Sequence, residues 1–350
     1  MMIEMDKFLS HDDEAGRRIQ ESANDLYQRL KKVEVDDLGM PAHCLDYFRA
    51  SHSKRLFFSI ETSAHLLYKA IKMSGKRPEE IVLMDYGAGV GTLYLLAAMI
   101  GCREVIYNDH LEDWKKSAEI IANAIGVSID LYVVGDISDC LDELHSLNIH
   151  CDIITSRNVV EHIYKLDEFY STVFQRQPSA IIYSSTTANK NNPASVLKHI
   201  MWHRKWEKVY KGKRMVIIER HYPSITSDKK ERLSAATRGL GGDDLRLAID
   251  EFRERGTLPD PSVHRSNTCD PANGVWAEHL LGKDEYRKLI NENLYEVSFA
   301  PGFWDTHYSK PYKNRAAKIL NRIIARNGRL AMVLAPFIYV IAQPRKNKNV

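Results

Sequence analysis

The sequence feature that most restricts the fold is a glycine-rich turn between two apolar segments. The first segment, Ile81 to Met84, has the length and the branched side chains of a buried strand. The motif Asp85-Tyr86-Gly87-Ala88-Gly89-Val90-Gly91-Thr92 follows it, and an apolar run of helical length occupies residues 93–100. Glycines let the backbone of such a turn approach a ligand closely, and the start of the helix offers free N–H groups. The motif therefore predicts a nucleotide-type ligand at a βα turn.

The spacing of the glycines indicates which ligand to expect. A dinucleotide-binding turn has the spacing Gly-x-Gly-x-x-Gly, and Thr92 occupies the position of its third glycine here. The chain instead has Asp-x-Gly-x-Gly-x-Gly, beginning at Asp85. This motif resembles the first motif of the class I S-adenosyl-L-methionine (SAM) methyltransferases. The resemblance implies SAM as cofactor, S-adenosyl-L-homocysteine as its product, and contacts of Gly87, Ala88 and Gly89 with the carboxypropyl part of SAM.

An acid directly follows the second predicted strand, residues 104–108. This acid is Asp109, and it follows Gly87 by about twenty residues, the distance expected of a carboxylate that accepts both ribose hydroxyls of a nucleoside. Asp109 could instead cap the predicted helix over residues 111–125, or it could do both. We therefore predict a ribose contact and leave the cap as the alternative.

The third predicted strand, residues 129–134, is also followed by an acid, Asp136. In the methyltransferase family an acid at this place commonly receives the adenine amino group, which is sensible because a carboxylate only accepts hydrogen bonds. The resemblance thus implies adenine contacts for Asp136 and its neighbour Ile137. A cap for the predicted helix at 140–147 is the alternative interpretation of Asp136.

A polar stretch follows the fourth predicted strand, Asp152 to Ser156. Its sequence, Arg157-Asn158-Val159-Val160-Glu161-His162-Ile163, resembles the strand-four signature of small-molecule methyltransferases, in which a Val/Leu-Glu-His run follows the strand. In that family the residues just past this strand line the methionine end of SAM. The implied cofactor contacts are Ser156, Arg157 and Asn158.

Methyl transfer to an oxygen usually also requires a base whose pKa is near neutrality, and histidine is the default choice. His162 and His279 are the candidates for this base, with Glu161 behind them. Glu161 and His162 could instead hold the following turn. The chain contains fourteen histidines, so the choice among them rests on position alone. Nothing has the four-ligand spacing of a structural zinc site, and no metal is expected.

Strands and helices alternate over residues 81–187, as a parallel α/β sheet requires. The fifth strand is predicted at 180–184, the sixth at 295–299 and the seventh at 337–342. A helix at 314–325, with Ala317, Leu320, Ile323 and Ile324 as its apolar positions, precedes the last strand. The expected fold is a Rossmann-like seven-stranded methyltransferase sheet with helices on both faces and an antiparallel last strand.

Three divisions of the chain are predicted. Residues 1–79 form a helical N-terminal extension, either a lid over the ligand or a helix pair that merely covers the sheet. Residues 80–190 and 276–350 form the SAM-binding Rossmann-like domain. Residues 191–275 form an insertion after strand five, predicted to be the acceptor-binding lid. The insertion begins with lysines and arginines interleaved with aromatic residues, which suits either a phosphate-bearing ligand or a solvated helix whose aromatics pack on the sheet.

These features predict a SAM-dependent methyltransferase acting on an oxygen or nitrogen of a small-molecule or glycan-type acceptor. One alternative is a nucleic-acid methyltransferase that uses the basic insertion. Against it, Ser156-Arg157-Asn158-Val159 stands where amino-methylating DNA enzymes have Asn/Asp-Pro-Pro followed by an aromatic residue. The other alternative is a non-catalytic SAM-fold binding subunit. The sequence leaves the acceptor and the oligomeric state open.

Composition, cysteine spacing and the length of apolar segments indicate the cellular environment to expect. An apolar content of 44% and a net charge of +3 are ordinary for a soluble protein and do not by themselves indicate nucleic acid. The five cysteines form no Cys-x-x-Cys pair, which indicates free thiols in a reducing environment. The N-terminal residues lack an apolar signal core, and the longest apolar stretch, 330–342, is too short to span a bilayer. We expect a cytoplasmic protein without a membrane span.

Overall fold

Seven strands lie in one sheet in the computed structural model, which describes residues 7–259 and 267–345. They are β1 (Val82–Tyr86), β2 (Glu104–Asp109), β3 (Leu131–Val134), β4 (Ile153–Arg157), β5 (Ile181–Thr186), β6 (Tyr295–Pro301) and β7 (Ile338–Pro344). Their order is β3-β2-β1-β4-β5-β7-β6. Strands β1 to β5 are mutually parallel, whereas β7 is antiparallel to both β5 and β6. The predicted Rossmann-like sheet with its reversed last strand is confirmed.

Helices connect and cover these strands. Those before β5 are α1 (Glu14–Lys31), α2 (Ala42–Tyr47), α3 (Leu56–Ser74), α4 (Leu93–Met99), α5 (Glu112–Ala124), α6 (Ile137–Ser146) and α7 (Leu166–Arg176). Those after β5 are α8 (Pro193–His221), α9 (Ser227–Ala236), α10 (Gly242–Arg255), α11 (Lys283–Ile290), α12 (Pro311–Arg326) and α13 (Gly328–Leu334).

Apolar side chains fill both faces of the sheet. On one face, helices α1, α3, α4 and α5 contribute to a core that includes Leu67 and Leu96. On the other face, helices α6, α7 and α11 contribute to a core that includes Leu144, Phe169 and Ile290. The inner strands β1, β4, β5 and β7 are largely buried from both sides, which explains why they are nearly continuous apolar runs in the sequence. Helices on both faces of the sheet are therefore confirmed.

The N-terminal region is helical, but its second part is interrupted. Helix α2 ends at Tyr47, a π-helical turn follows at Phe48–His52, and a 3-10 turn at Ser53–Arg55 precedes α3. The backbone of Arg55 leaves the helical region, with φ −134° and ψ 30°, so the chain changes direction there. This change of direction brings the turn over the carboxyl ends of the strands.

The region after β5 is helical and has a small core of its own. Helices α8, α9 and α10 meet around Ile218, Leu233 and Ile249. Arg214, which the sequence groups with the basic residues of this region, is fully buried and donates to the carbonyl of Ser234 at 3.1 Å. Residues 260–266 of the predicted insertion, and the ends of the chain at 1–6 and 346–350, lie outside the described residues.

Helix α12 partly departs from its predicted apolar face. Ala317 and Ile324 are buried, as expected, but Ile323 is 36% exposed. Consecutive helix residues are about 100° apart, so Ile323 lies on a different side from Ile324. Within the described residues, none of the helices combines the length and the apolar character that crossing a membrane requires.

Candidate functional site

A cavity of about 600 Å³ opens at the carboxyl ends of β1, β2 and β4. This is the edge at which open α/β sheets bind their ligands. The glycine turn after β1 forms part of its wall, and the π-helical turn and α3 contribute Ala50, Ser59 and Thr62 from the N-terminal region. The cavity is thus bounded by elements that are far apart in the chain.

The glycine turn needs its glycines for two different reasons. Gly87 and Gly89 have φ of +65° and +52°, a conformation that side-chain-bearing residues rarely adopt. At Gly87 a Cβ would also lie 2.7 Å from the Val159 side chain. At Gly89 the nearest atom to such a Cβ would be a carboxylate oxygen of Asp109, at 4.0 Å. The backbone is therefore open to a ligand at Gly89 and closely packed at Gly87.

The Asp109 carboxylate faces this turn and does not cap the helix behind it. Its Oδ2 accepts a hydrogen bond from the Gly89 N–H at 2.9 Å, and its Oδ1 lies 3.1 Å from Nδ1 of His110. This contact raises the pKa of His110. The N-cap of α5 is Leu111, which has no side-chain cap. Of the two alternatives for Asp109, the helix cap is thus not realised, and the side chain lines the cavity.

Asp85 lies at the base of the cavity and is nearly fully buried. Its carboxylate accepts hydrogen bonds from the Tyr94 N–H at 3.1 Å and the Thr155 hydroxyl at 3.3 Å. Burial raises the pKa of Asp85 to about 7, although the positive charge of Arg157 acts in the opposite direction. The side chain therefore ties β1 to both α4 and β4 at the ligand edge.

Arg157 extends from the end of β4 to helix α3. Its guanidinium donates to the carbonyl oxygen of Ser59 at 2.6 Å, to the Ser63 hydroxyl at 3.0 Å and to the Thr62 hydroxyl at 3.1 Å. The Ser63 hydroxyl also lies 2.9 Å from that of Thr92, at the start of α4. Helix α3 is consequently a fixed wall of the cavity.

Three of the predicted cofactor residues lie outside the residues that line the cavity. Asp136 caps α6, accepting hydrogen bonds from the N–H groups of Ser138 and Asp139 through Oδ1. Ile137 is buried in the apolar core beside that cap. The Ser156 hydroxyl, also buried, donates to the Ser184 hydroxyl at 2.8 Å. Asn158 does line the cavity, and its φ of +59° places it in the left-handed region.

The three candidate bases occupy different surroundings. His162 lines the cavity, with Nδ1 2.8 Å from the carbonyl oxygen of Trp276. Because a carbonyl only accepts hydrogen bonds, Nδ1 carries the proton and Nε2 has the free lone pair. His279 instead stacks on Trp276, with ring centroids 4.1 Å apart, and burial lowers its pKa to about 4. Glu161 is 1% exposed, and burial raises its pKa.

The described residues contain no group of three histidine, cysteine, aspartate or glutamate side chains that could hold a metal ion.

No protein-family model matches the chain, and no curated protein matches it. Among solved structures, a SAM-dependent methyltransferase of Mesorhizobium loti is 12% identical over 80% of this chain and 98% of its own, with a TM-score of 0.37. A proposed SAM-dependent methyltransferase of Listeria monocytogenes is 12% identical over 81% and 100%, with a TM-score of 0.39.

Another solved structure covers a smaller region. A ribosomal protein L11 methylase of Lactobacillus delbrueckii is 17% identical over 36% of this chain, with a TM-score of 0.28. The match spans 60% of the methylase, which is less than two thirds of its length. Similarity at this level does not identify an activity or an acceptor for the chain.

Several cavity residues have no signal in the sequence. Tyr47, Arg55 and Trp114 line the cavity, but each belongs to an ordinary mixed-polarity helix or turn. Ser59 is 98 residues from Arg157, so only the folded structure shows that they meet. A strand-period argument could have separated Ser156 from Arg157, because neighbouring strand residues point to opposite faces.

Proposed function

We propose that the protein is a SAM-dependent methyltransferase acting on a small-molecule or glycan-type acceptor. The observation that carries the proposal is the juxtaposition of the glycine turn and the Asp109 carboxylate at the carboxyl edge of a seven-stranded sheet of this topology. The turn offers backbone to a ligand at Gly89, and Asp109 offers acceptors for ribose hydroxyls. Both belong to one cavity of sufficient size for a nucleoside.

The residues around the cavity suit the two ends of SAM. Asp85 and Arg157 line the cavity near the glycine turn with one carboxyl group and one guanidinium group. These two groups fit the amino and carboxylate groups of a methionine moiety. Asn158 also lines the cavity. Asp136 lies outside the cavity lining, but both of its cap hydrogen bonds go to Oδ1, so Oδ2 would be the oxygen that accepts from an adenine amino group. Ile137 and Ser156 would act by shaping these two ends.

When bound, SAM supplies an electrophilic methyl group on a sulfonium. The protein has to orient the acceptor and exclude water, which are proximity effects. His162 is the proposed base, because it lines the cavity and its Nε2 is free to take a proton from an acceptor hydroxyl. The hydrogen bond between His162 and the Trp276 carbonyl fixes the imidazole ring. This hydrogen bond also links the proposed base to the segment that follows the predicted insertion. Glu161 and His279 would then be positioning residues.

Calorimetry with SAM and with S-adenosyl-L-homocysteine tests the proposal. Both are expected to bind, and Asp109→Ala should weaken SAM binding by about 10- to 100-fold through loss of charged hydrogen bonds. Asp284→Ala is the matched control, because this aspartate is 96% exposed on α11. No binding of either ligand would reject the proposal. Binding of both without methyl transfer to any acceptor would favour the non-catalytic binding subunit.

A further inference from the structure

All Asp, Glu, Lys and Arg positions in the last part of the chain are basic residues. Residues 306–350 contain ten lysines and arginines and no aspartate or glutamate, although the whole chain has a net charge of only +3. The rest of the chain is therefore net acidic. Half of these ten residues lie on helix α12, namely Lys313, Arg315, Lys318, Arg322 and Arg326.

The inner face of α12 is fixed to the protein. Asn321 accepts a hydrogen bond from the Trp304 N–H at 2.7 Å and donates to the Trp304 carbonyl at 2.8 Å. Ala317 and Ile324 are buried on the same side, and Ile324 packs with Ala335. The orientation of the helix is thus set, and its opposite face points to solvent.

The outer face of α12 has an apolar row of side chains and a row of arginines beside it. Tyr312, Ile319 and Ile323 are spaced i, i+7 and i+11, so they lie on one side of the helix. The arginines at 315, 322 and 326 repeat that spacing three residues further on and form the second row. Tyr312 is 64% exposed and Ile319 is 55% exposed. On the adjoining α13, Leu330 adds a further exposed apolar side chain.

The cations of this face lack carboxylate partners in the part of the chain that the structure describes. Among residues 7–259 and 267–345, none of the α12 cations forms an ion pair with a carboxylate. By contrast, Arg246 and Arg253 of α10, also seven residues apart and exposed, each pair with an aspartate. An amphipathic face with unpaired cations beside aliphatic side chains is what an interfacial helix presents to anionic lipid.

We propose that the outer face of α12 and α13 docks on an anionic membrane surface. The arginine row would bind lipid headgroups, and Tyr312, Ile319 and Leu330 would enter the boundary between headgroups and acyl chains. Nucleic acid suits the face less well, because its exposed apolar residues are mainly aliphatic and cannot stack on bases. A second copy of this chain suits it less well too, because two such faces would oppose cations with cations.

Flotation of the full-length protein with vesicles tests this proposal. The protein should bind vesicles of phosphatidylcholine mixed with phosphatidylglycerol far more tightly than vesicles of phosphatidylcholine alone. Neutralising Arg315→Gln and Arg322→Gln together should lower the partition coefficient by about 25-fold, roughly fivefold for each cation near an anionic surface. The matched control, Arg246→Gln with Arg253→Gln, should leave it unchanged.

The apolar row has its own test. Ile319→Ser should reduce the binding that persists when salt screens the charges, whereas Leu247→Ser, an equally exposed site on α10, should not. Melting temperatures of all variants should match that of the wild type, since the changed side chains are exposed. Absence of vesicle binding by the wild type, or equal loss in variants and controls, would overturn the proposal. Binding of single-stranded RNA in place of vesicles, lost with the arginines, would overturn it in favour of nucleic acid.

Discussion

The guanidinium of Arg157 donates a hydrogen bond to the carbonyl oxygen of Ser59 at 2.6 Å. This contact joins the end of β4 to helix α3 across the floor of the cavity. A second hydrogen bond, from the same guanidinium to the Ser59 hydroxyl at 2.9 Å, fixes the direction of the side chain. The N-terminal helices are therefore held by the same residue that lines the proposed cofactor site.

Replacing Arg157 should destabilise the protein as well as the site. Arg157→Met removes a partly buried guanidinium and leaves the oxygens of Ser59 and Ser63 without their charged donor, so the free energy of unfolding should fall by about 3–5 kcal/mol. Ser63→Ala removes two hydrogen bonds of the network, to Arg157 and to Thr92, and should cost about 1–3 kcal/mol. Urea unfolding measures both changes. Equal unfolding midpoints for wild type and Arg157→Met would show that α3 is held by apolar packing alone.

The glycine turn offers a test that separates crowding from backbone strain. Gly87→Val should lower stability and weaken SAM binding, because its Cβ meets Val159 and its φ is positive. Adding Val159→Ala should restore only part of the loss, since the backbone strain of about 1–2 kcal/mol remains. As a control, Gly212→Ala in α8, where a Cβ meets open space, should stabilise the protein by about 0.5–1 kcal/mol. Full rescue by Val159→Ala would rule out the strain.

The raised pKa of Asp85 predicts a pH-dependent stability. The folded state holds the proton more tightly than the unfolded state, because burial raises this pKa from 3.8 to about 7. The stability that Asp85 contributes is therefore complete below the lower value and is lost as the pH rises through about 7. Asp85→Asn cannot titrate, so unfolding of the ligand-free variant should show a smaller loss over this interval. A constant difference between variant and wild type at all pH values would contradict the prediction.

The proposed base predicts a change in rate without a change in cofactor affinity. His162→Gln should lower kcat by about 100- to 10,000-fold, the usual contribution of a general base. SAM affinity should stay the same, because the proposed cofactor contacts do not include His162. His279→Gln is the comparison, and it should lower kcat much less than His162→Gln does, because His279 only stacks on Trp276, whose carbonyl holds the His162 ring. Release of S-adenosyl-L-homocysteine over a panel of hydroxylated acceptors measures the rate.

The sequence predicts the sheet well because most strands are local apolar runs with clear boundaries, and β6 alternates apolar with polar residues. The glycine motif and Asp109 are local too, and both line the cavity. Contacts between segments that are distant in the chain leave no local pattern in the sequence. Nothing in the sequence indicates that Ser59 meets Arg157, or that Arg214 of the basic segment is buried against Ser234. The burial of a single helical side chain such as Ile323 is also hard to predict. Neighbouring helix positions differ by about 100°, so an error of one position moves a side chain from the core to solvent.

Asp136 is the residue for which the sequence left two roles open, and variants can distinguish them. The structure shows the cap on α6, and the adenine contact is a proposal. Asp136→Ser keeps an N-cap but shortens the side chain, so stability should be retained while SAM affinity falls. Asp136→Ala removes both and should cost about 1 kcal/mol of stability as well. If Asp136→Ser binds SAM as tightly as the wild type does, the carboxylate serves the helix alone, and adenine must be held by other residues.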